Sequence, residues 1–284
     1  MSDLTWRLIL DQQAPGTWNM AVDEVLLEGV ASGKAPPTLR FYGWKPACLS
    51  LGYFQSFAVV DRDACWALGF DVVRRPTGGR AILHDRELTY SIALPASVLG
   101  LDRGILPSYH RISRALQAGF ALLGVMTTMA PESAAPTEPE HGPVCFDRPS
   151  AHEILLDGRK LVGSAQVRRS DALLQHGSIL IEPQISTMLR CLRLPVEVTQ
   201  SGPGSRQIDD GVIGLAEVGV SDPATIAAAI AEAVGREFNV ALVDVGLDAR
   251  ELAAARALSA SKYETEEWTE RPLAQAAQKT TRTR

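Results

Sequence analysis

Three short segments carry residue types that could bind a small anionic group. The first, residues 74–84, places Gly78 and Gly79 between arginines and two apolar runs. Consecutive glycines let a backbone approach a ligand closely and point its N–H groups at it. A hairpin turn with solvated arginines produces the same pattern. The flanking arginines would neutralise a phosphate or carboxylate.

The second segment, residues 158–166, holds a lysine and a run of small residues inside a strand-like stretch. Gly163, Ser164 and Ala165 are typical of a strand that another group approaches closely. Side chains alternate along a strand, so Lys160 and Gly163 line one site only if a bulge or curvature lies between them. A lone lysine on a strand is usually just solvated.

The third segment, QHGSIL, interrupts a strand-like run with His176 and Gly177. A hydrogen-bonded structural histidine is the ordinary explanation for such a residue. Each of the three segments is weak evidence alone, whereas their combination in this order is far more specific.

The four cysteines, Cys48, Cys65, Cys145 and Cys191, are widely spaced and form no CxxC pair. No histidine cluster has the spacing of zinc ligands, so we expect free thiols, no metal and no cofactor. Cys145 directly follows residues 131–143, a Pro-, Glu- and Ala-rich stretch that favours a surface loop.

The elements that must position these segments predict an α/β (α+β) fold, with largely antiparallel strands flanked by helices. TLRFYGW and CLSLGYF indicate paired strands around Lys45-Pro46, and Asp157-Gly158 suits a tight hairpin turn. Residues 109–124 have the periodicity of an amphipathic helix. Asp222 and Pro223 are typical of a helix N-terminus.

Bulk properties favour an ordinary globular protein. The 284 residues are 46% hydrophobic and 21% charged, and the first ten have no basic region typical of a signal peptide. No apolar run approaches the roughly 20 residues of a membrane span. We therefore expect a cytoplasmic protein, and a net charge of −5 argues against nucleic-acid binding.

Taken together, RRPTGGRAILH, GRKLVGSAQ and QHGSIL resemble the lipoate-protein ligase and lipoyl/octanoyl transferase family, whose fold is shared with biotin protein ligases. RFYGW, LSLGYFQ, NMAVDEVLL and KYETEEW extend the resemblance over roughly residues 5–268. It implies a biotin/lipoate protein ligase-like catalytic domain, which we place at residues 1–245. Residues 246–284 would then form a C-terminal helical extension with a frayed tail.

Within that family, Cys145, fifteen positions before Lys160, is similar to the octanoyltransferases of the LipM type. The resemblance implies that Cys145 carries the acyl group as a thioester and that Lys160 lowers its pKa. It also implies octanoyl-acyl carrier protein as donor and a lipoyl-domain protein, such as the glycine-cleavage H protein, as acceptor. We expect no nucleic-acid or membrane partner, and a monomer. The acyl-binding residues implied are Arg75, Thr77, Gly78, Gly79, His84, Gly163, Ser164, Ala165, His176 and Gly177.

Three alternatives remain at this point. An ATP-dependent lipoate-protein ligase would make Cys145 a core residue. An octanoyl-H-protein amidotransferase would use the same cysteine chemistry with a different donor. A non-catalytic acyl-binding or regulatory module is disfavoured, because a repressor of the biotin-ligase type carries an N-terminal helix-turn-helix, whereas the first residues here resemble a strand of the catalytic fold.

Basic residues near the second segment predict a docking face for acidic carrier proteins. No acid lies among the four positive charges of residues 159–169. The predicted face comprises Arg159, Lys160, Arg168 and Arg169, together with Arg111 and Arg114.

Overall fold

The computed structural model describes residues 4–99, 105–131, 153–193 and 211–271. Its strands are β1 Thr5–Ala14, β2 Thr38–Trp44, β3 Cys48–Leu51, β4 Asp71–Arg74, β5 Ile82–His84, β6 Glu87–Pro95, β7 Thr128–Met129, β8 Ile154–Leu156, β9 Arg159–Arg169, β10 Ala172–Leu180 and β11 Ala241–Asp244. Its α-helices are α1 Gly16–Ala31, α2 Arg62–Ala67, α3 Ile105–Leu122, α4 Ile185–Arg190, α5 Pro223–Phe238, α6 Ala249–Leu258 and α7 Glu266–Thr269.

The strands form two sheets that together confirm the predicted mixed, largely antiparallel fold. The larger sheet has the order β11-β1-β2-β6-β10-β9-β8-β7, and the smaller has the order β4-β3-β5. Strand β1 pairs in parallel with β11 and β2, while the pairings from β2 to β7 across the larger sheet are antiparallel.

One predicted pairing is wrong. Strand β2 pairs with β1 and β6 in the larger sheet, whereas β3 pairs with β4 and β5 in the smaller one. The chain changes sheets at the cis peptide Lys45-Pro46. Both strands are almost wholly buried, so the sequence of each is a continuous apolar run. Such a run predicts a buried strand but does not indicate which strand pairs with it.

Helices cover both faces of the larger sheet. On one face, α3 and α5 pack together over a core that includes Phe41, Tyr90 and Phe120. On the other face, α1 packs against β6 and β10 with Val22, Leu26 and other apolar residues. The smaller sheet lies on the α1 side, where Met20 and Val73 share a cluster.

Local turn and cap predictions are confirmed where they rest on backbone geometry. Asp157 and Gly158 join β8 to β9 with φ of 51° and 73°, the positive values that a two-residue hairpin turn requires. Asp222 caps α5 by accepting hydrogen bonds from the N–H groups of Ala224 and Thr225. Pro223 is the first residue of that helix.

The C-terminal segment packs against α1 and β1. Glu251 of α6 accepts two hydrogen bonds of 2.7 Å from Arg7. Glu24 of α1 accepts from Lys262 and Tyr263. The division between residues 245 and 246 therefore stays a prediction, because these contacts join both sides of it.

The predicted basic docking face is wrong in part. Lys160 is only 1% exposed, so it does not lie on an open surface. Four of the arginines are matched by carboxylates of the same chain, which reduces the charge that they can offer a partner. These pairs are Arg159–Glu217, Arg169–Glu24 and Glu28, Arg111–Glu237 and Arg114–Glu237.

Within the described ranges, no helix is long and apolar enough to span a bilayer.

Candidate active site

A cavity lies between the two sheets, and it encloses about 410 Å³ of non-atom space when the open solvent at its mouth is included. All three predicted segments meet there. The lining residues are Met20, Tyr42, Trp44, Arg75, Gly79, Ile82, His84, Thr89, Gly163, Ser164, Ala165, His176, Gly177 and Ser178.

The glycine-containing loop after β4 closes one side of the cavity. Gly79 has a φ of +92°, and a Cβ there would lie 3.9 Å from the Cβ of Ala165 on β9. Gly52 lets the loop sit this close, since a Cβ on it would lie 1.8 Å from the carbonyl oxygen of Gly79. The absence of side chains at Gly52 and Gly79 therefore permits this close packing of the loop.

Arg75 is buried beneath this loop. Its guanidinium donates to the carbonyl oxygens of Gly78 and Arg80 and to both oxygens of Ser50. Four protein acceptors thus hold the guanidinium in place. Arg75 shapes the loop as well as lining the cavity.

His176 belongs to a buried series of polar groups that we call the His176 chain: Thr77, His176 and Asp23. The Nε2 atom of His176 lies 2.7 Å from the Thr77 hydroxyl, and Nδ1 lies 3.1 Å from Asp23 Oδ2. Asp23 also accepts from Arg40, Tyr42 and Ser91. Burial raises the pKa of Asp23, but the His176 hydrogen bond and the charge of Arg40 outweigh it, so the pKa is lowered.

His84 belongs to a second series, the His84 chain: Ser50, His84 and Glu87. The Ser50 hydroxyl accepts from Arg75 at 2.6 Å, so its proton points to His84 Nε2, 2.7 Å away. Nδ1–H then donates to Glu87 Oε1 at 3.2 Å. Burial lowers the pKa of His84 despite the nearby Glu87 carboxylate. The ring stacks on Trp44, with centroids 3.9 Å apart.

Lys160 reaches the same region because the strand pairing is irregular. The register between β8 and β9 shifts so that Ile154 lies opposite Val162 and Leu155 lies opposite Lys160. A Cβ on Gly163 would then lie 3.5 Å from Lys160 Nζ, so the two residues share a face. The irregularity that the sequence pattern required is therefore present.

Glu153 holds the Lys160 ammonium. Nζ donates to Glu153 Oε1 at 2.6 Å, and both side chains are almost completely buried. Backbone bonds fix the lysine further: its carbonyl accepts from Ile213. The result is a buried ion pair beside Gly163.

The cysteines in the described ranges are buried. Cys48 packs against Met20 and Trp44, and burial raises the pKa of its thiol well above the usual value. Cys65 and Cys191 lie together in a cluster beneath the smaller sheet. Cys145, the predicted nucleophile, lies outside the described residues.

Several residues of the site escaped sequence reasoning. Asp23 and Arg40 sit inside apolar segments of α1 and β2, and a charged residue in an apolar run was the available signal. Trp44 and Ser178 lie in the segments RFYGW and QHGSIL but received no role, because each fits its strand as an ordinary residue. In the part of the chain that the structure describes, no group of three or more His, Cys, Asp or Glu side chains is arranged to hold a metal ion.

Comparison with known proteins agrees with this architecture. Residues 15–238 match the Lipoyl protein ligase A/B catalytic domain family. The octanoyltransferase LipM of Geobacillus kaustophilus is 38% identical over 94% of this chain and 99% of its own length. The chain belongs to the LipM octanoyltransferases. It is thus an acyltransferase of the lipoylation system. A second relative, the LipM of Symbiobacterium thermophilum, is 45% identical over 68% of this chain and 71% of its own length.

Solved structures support the fold assignment of this LipM family member. Lipoate-protein ligase A bound with ATP superposes with a TM-score of 0.77 at 23% identity, covering 94% of this chain and 98% of the other. A bipartite lipoate protein ligase from Thermoplasma acidophilum gives a TM-score of 0.75 at 21% identity, over 94% of this chain and 96% of the other. At these identities the likeness concerns the fold alone.

Proposed function

We propose that the enzyme takes octanoyl from octanoyl-acyl carrier protein onto Cys145 as a thioester. It then passes the group to a lysine of a lipoyl-domain protein, the glycine-cleavage H protein. The relatives are named octanoyltransferases, which supports the acyl group. The observation that carries the proposal is the buried Lys160 ammonium beside the cavity, because a thiolate nucleophile needs such a cation.

The other cysteines support Cys145 by their surroundings. Cys48, Cys65 and Cys191 are each at most 1% exposed, inside apolar clusters. A nucleophilic thiol has to meet its substrate and ionise, and burial in apolar surroundings opposes both. Of the four cysteines in the sequence, Cys145 is left as the candidate.

Chain length permits Cys145 to reach the cavity. Glu153, eight residues later in the sequence, contacts Lys160 directly. Eight residues span at most about 29 Å when fully extended, so the sequence separation alone permits the thiol to reach the lysine.

Lys160 would favour the thiolate form of Cys145. A neighbouring ammonium that lowers the pKa of a thiol by about 2 favours the thiolate by roughly 2.7 kcal/mol. The Glu153 carboxylate favours the charged form of the Lys160 amine, but its negative charge also weakens the electrostatic effect of that ammonium on a nearby thiol. The ion pair thus supplies a fixed cation in a place where a free ammonium would be expensive to bury.

The cavity suits an apolar acyl chain. Met20, Trp44 and Ile82 contribute apolar surface to it. Each methylene that leaves water stabilises the bound chain by about 0.8 kcal/mol. Exchange of one thioester for another is nearly isoenergetic and amide formation is downhill, so no nucleotide has to supply energy.

Intact-protein mass spectrometry tests the proposal. Mixed with octanoyl-acyl carrier protein and no ATP, the enzyme should gain the mass of one octanoyl group, and hydroxylamine should remove it. Cys145→Ser should gain none. Cys48→Ala and Cys191→Ala are the matched controls and should be acylated like the wild type.

Other outcomes identify the alternatives. Modification of the acceptor only with free octanoate or lipoate plus ATP would make the protein a ligase. Acylation from octanoyl-H protein and not from the carrier protein would make it an amidotransferase. Hydroxylamine-sensitive octanoylation of Cys145→Ser would refute the thioester at Cys145, because it would place the acyl group on another thiol.

A further inference from the structure

We propose that Ser178 is a further catalytic residue. Its hydroxyl donates a hydrogen bond to the carbonyl oxygen of the octanoyl thioester and to the oxyanion formed from it. This inference rests on the acyl transfer proposed above.

Ser178 is 1% exposed and lines the cavity, yet its Oγ has no hydrogen-bond partner in the described parts of the chain. Buried hydroxyl groups are nearly always bonded, because an unpaired one costs free energy. A donor kept unpaired within a cavity is suited to a charge that appears only during reaction.

The hydroxyl groups of two neighbouring residues have protein partners. Thr89 Oγ1 accepts from the Trp44 indole at 2.7 Å and donates to Glu87. The Ser164 hydroxyl pairs with the Tyr90 hydroxyl at 2.8 Å. Ser178 therefore differs from hydroxyls that serve the packing of the same sheet.

The sheet register places Ser178 beside the ion pair. In β10 it lies directly opposite Gly163 of β9. Opposed residues of antiparallel strands point to one face, with Cβ atoms about 5 Å apart. Gly163 has no side chain, and Lys160 Nζ would lie 3.5 Å from a Cβ added there. The Ser178 hydroxyl and the Lys160 ammonium thus lie on the same face of the sheet, beside Gly163.

Both half-reactions need a hydrogen-bond donor at the carbonyl oxygen of the octanoyl group. In the first, the enzyme thiolate adds to the donor's carbonyl carbon, and the π electron pair moves to oxygen. Collapse restores the carbonyl and expels the donor thiolate. In the second, the acceptor lysine amine adds, the same oxygen becomes negative, and collapse expels the enzyme thiolate, which takes the proton lost by nitrogen. Ser178 would stabilise the oxyanion in each.

Single-turnover kinetics with octanoyl-acyl carrier protein tests this role. Ser178→Ala should slow acyl-enzyme formation about 100-fold, the usual effect of removing one oxyanion donor. KM for the donor should change less than about threefold, because the bond strengthens in the transition state. The variant should melt at the wild-type temperature or above it, since it loses an unpaired buried hydroxyl.

Two further variants guard against a structural explanation. Ser178→Thr keeps a hydroxyl and should retain at least about a tenth of the wild-type rate. Ser113→Ala removes a buried hydroxyl from α3 on the opposite face of the sheet and should leave the rate unchanged.

Three results would overturn the assignment: a wild-type rate in Ser178→Ala, a threonine variant as slow as alanine, or an effect confined to KM. If Ser178→Ala is fast while Cys145→Ser is inactive, only the Ser178 role fails. If Cys145→Ser still forms an acyl-enzyme that hydroxylamine cleaves, the underlying function fails instead.

Discussion

The His176 chain and the His84 chain border the cavity, and each consists of a hydroxyl, an imidazole and a carboxylate. They differ in how many hydrogen bonds the carboxylate oxygens accept. In the His176 chain, both oxygens of Asp23 accept hydrogen bonds: Oδ1 from Arg40 and Ser91, Oδ2 from Tyr42 and His176. In the His84 chain, Glu87 Oε1 accepts from His84 and Thr89, and Oε2 has no partner among the described residues.

This difference determines how far the fold depends on the charge of each carboxylate. Asp23 and Arg40 are both completely buried, so each charge depends on the other for compensation. Glu87 has no arginine or lysine partner in the described ranges, and the imidazole beside it has a lowered pKa. We infer that the Asp23 charge is indispensable to the fold, whereas the Glu87 charge is dispensable.

The largest predicted effect comes from neutralising the two carboxylates in turn. Asp23→Asn should lower the free energy of unfolding by about 3–5 kcal/mol, because Arg40 loses its buried counter-ion. The new NH₂ group would also face a donor at either oxygen position. Glu87→Gln should cost less than about 1 kcal/mol, since the amide nitrogen can occupy the Oε2 position without meeting a donor.

Urea unfolding at neutral pH measures both values. The comparison breaks if the two variants lose similar stability, or if Glu87→Gln is the less stable. Glu28→Gln, at an exposed position of α1, is a control for loss of one negative charge and should change stability little.

A second, smaller predicted effect is that the two chains contribute differently to the pH dependence of stability. An unfolded imidazole titrates near its ordinary pKa of 6.5, whereas burial lowers the pKa of His84 in the folded protein. Between these values the unfolded state binds more protons, so stability falls as the pH drops below 6.5. Asp23 contributes stability above its unfolded pKa of 3.8, and this is lost only as the pH falls through its lowered folded value.

The measurement is the slope of unfolding free energy against pH between about pH 7 and about pH 5. His84→Gln should reduce that slope, whatever its effect on stability at pH 7. A variant with the wild-type slope would show that His84 does not titrate differently in the folded and unfolded states.

Sequence patterns predicted local geometry better than pairing. The Asp157-Gly158 turn and the Asp222 cap depend on a few adjacent residues, and both are as predicted. The pairing of β2 with β3 was wrong, because strand partners are chosen by packing across the whole sheet. The need for an irregularity between Lys160 and Gly163 was foreseeable, since strand alternation is a fixed constraint.

The site shows the same division. Motif glycines and histidines were found by their residue types, and the structure brings them together around one cavity. Asp23 and Arg40, 17 residues apart, were not found, because a buried ion pair is visible only when both elements are placed. Glu153 was passed over for a similar reason: the bulge in β9 brings its lysine partner to it.

The smallest predicted effect compares the two hydroxyls. Ser50 accepts from the Arg75 guanidinium as well as bonding His84, whereas Thr77 Oγ1 bonds His176. A hydrogen bond to a charged group contributes more than a neutral one, so Ser50→Ala should cost about 2 kcal/mol and Thr77→Val about 1 kcal/mol. Valine keeps the shape of threonine, which leaves the loop over the cavity in place. Urea titrations of both variants measure the difference, and a larger loss at Thr77 than at Ser50 would show that the Arg75 contact does not stabilise the His84 chain.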